Sequence, residues 1–141
     1  MVYVGVDPDV HKSGLAVWKP NEKELDTYAV SFWELIDKLK YYHNAYDDEL
    51  VVILEAGWLN KKSNYHYAQN RNVSERIAKN VGANHQVGKL IEEYLRRNGI
   101  AYRLYKPKNK KWSKQEVENV FGLKIKNQDV IDAVILVIGL S

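Results

Sequence analysis

"NQDVIDAVILVIGL", residues 127–140, closes the chain with an apolar run that carries two carboxylates, Asp129 and Asp132. Val and Ile favour strands, so periodicity alone leaves the element type open. The acids decide it. In a helix, positions i and i+3 share a face, and both carboxylates can reach one point. In a strand, three positions apart means opposite faces, and one acid would be stranded. Asn127 is a good N-cap, and Asp129 in the first turn meets the favourable end of the helix dipole. The stretch is therefore predicted as a helix. A helix-start role accounts for Asp129 but not for Asp132, which stands one turn further in, between Ile131 and Ala133. A carboxylate there is costly to bury unless its charge is compensated.

Upstream of this helix the pattern alternates strands and helices. "VYVGVD" (2–7) sets Val2, Val4 and Val6 against Tyr3, Gly5 and Asp7, a period-2 strand. "SGLAVW" (13–18) follows the turn-like "DPDVHK" and completes a hairpin, and "DTYAVS" (26–31) gives a third strand. "SFWE" (31–34) has the form of a capping box, with Ser31 as N-cap and Glu34 three residues on. Leu35, Ile36, Leu39 and Tyr42 then carry a helix to about Tyr46, with Phe32, Trp33 and Trp18 assigned to the core. "LVVILEA" (50–56) is a continuous apolar run, as in a strand buried on both faces. After a polar, aromatic loop at 57–72, Ser74 is predicted to open a long helix with Ile77, Val81, Gly88, Ile91 and Leu95 on one stripe. "IAYRLY" (100–105) is a fifth strand, and the capping box "SKQE" (113–116) starts a short helix that stops at Gly122. The order βββαβαβαα predicts an α/β fold, a five-stranded mixed sheet flanked by helices, as one domain over residues 1–141.

Composition agrees. A chain of 141 residues suffices for one core and not for two. With 45% hydrophobic and 28% charged residues it reads as an ordinary globular protein. The absence of cysteine excludes disulfide and thiolate chemistry and fits a reducing, cytoplasmic compartment. Met1 leads straight into a strand pattern, so no signal peptide is expected, and the longest apolar run is too short to span a bilayer. Net charge is only +3, yet residues 103–115, "RLYKPKNKKWSKQ", contain Arg103, Lys106, Lys108, Lys110, Lys111 and Lys114 and no acid. A solvated loop is the ordinary reading of such a run; phosphate binding is the functional one.

Two further acids sit at strand ends, Asp7 after the first strand and Glu55 after the fourth. If these strands are parallel neighbours, both acids lie at the carboxyl edge of the sheet, where α/β proteins bind ligands. A helix presenting Asp129 and Asp132 to that edge completes a cluster of four. Four ionised carboxylates cannot crowd together without counter-charge. Hard divalent cations supply it, since Mg²⁺ or Mn²⁺ prefers oxygen ligands. Two such ions about 3.5–4 Å apart activate water and stabilise the leaving oxygen of a phosphodiester.

At these positions the chain resembles a known group. "YVGVDPDVHKSGLAVW" (3–18) is similar to the opening of ribonuclease H-like nucleases, in which an acid at the end of strand one is a metal ligand. With "VVILEAGW" (51–58), "DVIDAV" (129–134) and the glycine-containing helix "VGANHQVGKLIEEYL" (81–95), it resembles the RuvC-like Holliday junction resolvases, and its small size resembles their phage or prophage members. It departs at Asp9, where that family has Gly after Asp-Pro. The resemblance implies a ribonuclease H-like fold with Asp7, Glu55, Asp129 and Asp132 as catalytic metal ligands for two Mg²⁺ or Mn²⁺ ions. It also implies a homodimer in a bacterial or phage-infected cell, whose two sites cut opposed strands of a four-way DNA junction. Lys114 is the best match for the family's basic residue ahead of the last acids.

The remaining candidates concern nucleic acid. Lys106, Lys108, Lys110, Lys111 and Lys114 are assigned to phosphates. The loop after Glu55 mixes Trp58 and Tyr65 with Lys61, Lys62 and Arg71; aromatic faces stack on unpaired bases and cations hold the backbone. For Trp58 a core role competes evenly. His11 reads as a surface turn residue and His85 as facing DNA or solvent, while His43, His66 and His85 have no cage spacing. Three alternatives stand beside the resolvase: another ribonuclease H-like nuclease or transposase-type recombinase domain, a sugar-kinase or actin-like ATPase, and a non-catalytic DNA-binding domain.

Overall fold

The computed structural model describes residues 1–60 and 71–141, with the side chains of residues 71–74 left aside. The strands are β1 (Val2–Asp7), β2 (Ser13–Lys19), β3 (Glu24–Val30), β4 (Leu50–Glu55) and β5 (Tyr102–Tyr105). The helices are α1 (Phe32–Tyr46), α2 (Arg71–Arg97), α3 (Lys114–Phe121) and α4 (Gln128–Val137), and short 3₁₀ turns cover Asp47–Glu49 and Gly57–Leu59. This is the order that the hydrophobic periods predict. Among the described residues no helix is long and apolar enough to cross a membrane.

The strands form one sheet in the order β3-β2-β1-β4-β5. β1 pairs antiparallel with β2, and β2 with β3, while β4 and β5 run parallel to β1. The result is the five-stranded mixed sheet with flanking helices expected of the ribonuclease H-like class. Its carboxyl edge gathers the ends of β1, β4 and β5, and the β1–β2 turn rises beside them.

Two apolar layers hold the sheet. On one face Val2, Val4, Val6, Leu15 and Val17 pack with Leu35, Leu39 and Tyr42 of α1 and with Ile91 and Leu95 of α2. On the other, Ala16 and Ile53 meet Val130, Ala133, Val134 and Val137 of α4. α4 comes unusually close. A Cβ on Gly5 would overlap the Ala133 carbonyl, and one on Gly14 would overlap the backbone of Asp129. Glycines at these two strand positions let the helix backbone rest on the sheet.

The helix ends follow their capping residues. Glu34 Oε1 accepts from the Ser31 hydroxyl at 2.8 Å, and Ser113 Oγ accepts from the Glu116 amide at 3.1 Å. Gly122 ends α3 with a left-handed φ of 68°. Two expectations are corrected. α2 begins at Arg71, three residues before Ser74. Trp33 is 74% exposed and not in the core. The buried face of α1 is set by Leu35, Leu39 and Tyr42; Phe32 falls on it, three residues before Leu35, and Trp33, turned about 100° away, does not.

Candidate metal centre

Parallel pairing brings the first two acids together. Val6 is the register partner of Leu54, so Asp7 and Glu55 leave adjacent strands side by side. α4 supplies the next two. Its N-cap Asn127 accepts from the amides of Asp129 at 2.8 Å and Val130 at 3.2 Å, which fixes the first turn against Gly14. Asp132 then lies one turn along the helix, over the strand ends.

Asp7, Glu55 and Asp132 converge: each offers a carboxylate oxygen within 4.8 Å of the other two. Asp129 stands at the flank. Its side chain meets Asp7 on one side and Asp9 on the other, and it is not among the three that share this spacing. The triad is nearly sealed, with Asp7 8% exposed and the Asp132 side chain likewise 8%. Asp7 Oδ2 and Glu55 Oε2 are buried with no hydrogen-bond partner among the described residues. Buried polar atoms are ordinarily satisfied, and a pair of unpartnered carboxylate oxygens at one point suits a cation.

Electrostatics point the same way. Burial, then the facing Glu55 carboxyl, then the charges of Asp129 and Asp132 push Asp7 up to about 11. Asp129 is raised too, first by burial and then by Asp9 and Asp132, against a hydrogen bond with Asp7 that works downward. The donor set fits a hard cation. Mg²⁺ holds oxygens about 2.0–2.1 Å away, so ligands on one ion lie within roughly 4.2 Å of each other. A small side-chain adjustment brings the triad inside that limit.

Two residues complete the surroundings. Lys111 Nζ stands 2.8 Å from Asp132 Oδ2. Its own burial works to depress the ammonium, but the hydrogen bond and charge of Asp132, with Glu55 and Asp7 behind, hold it above the ordinary lysine value. Gln128 Nε2 donates to Asp132 Oδ1 at 2.9 Å and to the Trp112 carbonyl at 2.9 Å. The sequence assigns both Lys111 and Lys114 to phosphates, Lys114 as the best match for the basic residue ahead of the last acids; in the structure Lys111 reaches Asp132, and Lys114 opens α3 in an exposed position. Gln128 was not anticipated, though its position four residues before Asp132 is a helical i, i+4 pair and so a readable signal.

Of the other candidates, Lys106, Lys108 and Lys110 are exposed on the connection between β5 and α3. Lys61, Lys62 and Tyr65, together with the Arg71 side chain, lie outside the described residues. Trp58 takes the core role. Its ring is half-buried against the α1/α2 layer and fills the space left by Gly88. His85 packs edge-on to Trp58, ring centres 6.5 Å apart, and comes close over Gly57; burial first and Lys89 second lower its pKa. The β1–β2 turn is pinned by Asn84 of α2, whose Oδ1 accepts from the Val10 amide at 2.8 Å, and by Asp9, whose Oδ1 accepts from the His11 amide at 2.7 Å.

No family model matches the sequence, and no curated protein does. Among solved structures, the fold is similar to the fowlpox virus Holliday junction resolvase, with 12% sequence identity, a TM-score of 0.48, and coverage of 96% of this chain and 94% of that one.

Proposed function

We propose that this chain is a metal-dependent endonuclease that cuts branched DNA at four-way junctions. The observation that carries the nuclease reading is the convergence of Asp7, Glu55 and Asp132, with two buried oxygens that have no partner among the described residues, at the carboxyl edge of the sheet. The motif resemblance to RuvC-like resolvases supports the choice of junction.

Asp7, Glu55 and Asp132 would hold a Mg²⁺ or Mn²⁺ ion, and Asp129, beside Asp7, would serve a second one. Bound there, such ions supply a water nucleophile at neutral pH and charge stabilisation at the phosphorus. The protein's own part is positional. Gln128 orients Asp132, the Asn127 cap orients the first turn of α4, and Asn84 holds the turn that follows Asp7. Lys106, Lys108, Lys110 and Lys114 present a cationic rim on the connection that leads from β5 to α3, suited to phosphates and weakened by salt. Two protomers would cut opposed strands, which makes the active species a homodimer.

The test is incubation with a synthetic mobile junction and Mg²⁺, beside an RNA–DNA hybrid and a linear duplex. Paired symmetric nicks in the junction alone are expected. Cleavage of the hybrid or the duplex in preference would assign the chain to another ribonuclease H-like nuclease. Failure to bind Mn²⁺ by calorimetry would leave a non-catalytic DNA-binding domain.

A further inference from the structure

Asp132 differs from its two partners in one respect. Asp7 and Glu55 each keep a buried oxygen with no donor among the described residues, whereas both oxygens of Asp132 already have donors: Gln128 on Oδ1 and Lys111 on Oδ2. Each oxygen keeps a second lone pair, so a neutral donor can stay while a cation binds, whereas an ammonium held 2.8 Å from Oδ2 is repelled by the incoming double charge. Gln128 is anchored at both of its amide hydrogens, the second going to the Trp112 carbonyl. Lys111 is different. It stands at the end of an exposed connection, its side chain is 54% exposed, and its long stem can swing to solvent without opening the fold.

We propose that Lys111 is the resident counter-cation of the acid cluster, displaced from Asp132 when a divalent ion enters, so that it sets the metal concentration at which the site fills. This rests on the metal-centre reading above and adds to it. Without a metal, a single ammonium partly balances the acids and keeps them tolerable in the fold. With a metal, the ammonium is redundant at Asp132 and repelled by the incoming charge. Lys111 therefore stabilises the empty site and opposes filling it, two effects of one ion pair.

The experiment is Mn²⁺ titration by calorimetry of the full-length protein and of Lys111→Met, with melting temperatures in EDTA and in Mn²⁺. Lys111→Met is expected to bind Mn²⁺ about tenfold tighter, the order of one charge-assisted contact. Its metal-free form is expected to melt lower, so the gain on adding Mn²⁺ grows. Lys111→Gln should follow Lys111→Met, and Lys111→Arg should stay near the unsubstituted protein. Lys40→Met removes the same charge from the exposed face of α1 and should change neither reading. Equal or weaker Mn²⁺ affinity in folded Lys111→Met and Lys111→Gln would overturn the displacement idea and leave the metal centre standing. Absence of Mn²⁺ binding in every variant would overturn both.

Discussion

The backbone of Asp129 fills the space that a Cβ on Gly14 would need, and Gly14 is the register partner of Asp7. One missing methyl thus sets how near α4 comes to the end of β1. Gly14→Ala forces backbone against backbone, which no rotamer change relieves, so α4 must lift. The expected loss is about 1–3 kcal/mol of stability. Mn²⁺ affinity should fall with it, because Asp132 rides on the same helix. A variant that melts and binds Mn²⁺ like the unsubstituted protein would show that the helix is not held there.

Removing a triad acid should separate stability from activity. Asp7→Asn, Glu55→Gln and Asp132→Asn each delete a carboxylate that a cation needs, with cleavage falling on the order of 10³-fold, the equivalent of several kcal/mol of charge stabilisation. Junction binding, carried by the cationic rim, should survive. Asp7→Asn should also raise the metal-free melting temperature, since it removes a carboxyl that is buried against Glu55. Asp129→Asn should weaken Mn²⁺ binding less than Asp132→Asn, as its side chain stands at the flank. Calorimetry and thermal melts on the four variants decide the order.

The convergence of these acids was readable because it follows from element order. Parallel β1 and β4 put Asp7 and Glu55 at one edge, and the helical spacing of Asp129 and Asp132 turned both toward it. Periodicity did not show how deep each acid sits. A helix face carries residues at several heights, and Asp132 is the one over the strand ends. The choice of lysine lay beyond the pattern for another reason. Lys111 lies in an irregular connection, where spacing fixes no direction, three residues before Lys114 at the start of α3, and the carbonyl of Trp112 that helps seat Gln128 is backbone with no sequence signature. Trp33 failed on helical phase, since adjacent aromatic residues at a helix start cannot both face inward.

Metal-free stability should fall as pH rises. Asp7 titrates at about 11 in the fold and near its ordinary 3.8 in the unfolded chain. Between those values the fold keeps a proton that the unfolded chain has released. Unfolding therefore sheds a proton, and stability declines with rising pH by up to about 1.4 kcal/mol per unit. The raised Asp129 adds in the same direction. In EDTA the melting temperature should drop from pH 5 to pH 8, and Mn²⁺ at pH 8 should restore it. Asp7→Asn should flatten the slope. A metal-free melting temperature that rises over this range, or an unchanged slope in Asp7→Asn, would contradict the burial of Asp7 as an uncompensated acid.

Two glycines in one helix give the sharpest contrast. Glycine in a helix interior is worse than alanine by about 1 kcal/mol, so each of Gly82 and Gly88 in α2 calls for a reason. At Gly88 the reason is visible. A Cβ would run into the Trp58 ring and come within 3.2 Å of Pro8 Cγ, both at the edge that carries the acids. Among the described residues, Gly82 has nothing within 4 Å of such a Cβ. Gly82→Ala should therefore recover the full propensity and raise stability by about 1 kcal/mol. Gly88→Ala gains the same propensity but displaces a half-buried tryptophan, and overpacking of this kind costs about 1–3 kcal/mol, so it should melt lower. The Trp58 shift should also move the fluorescence of Gly88→Ala and leave that of Gly82→Ala alone. Equal melting temperatures for the two variants would mean that Trp58 yields to the added methyl and that its contact with Gly88 does not hold α2 in place.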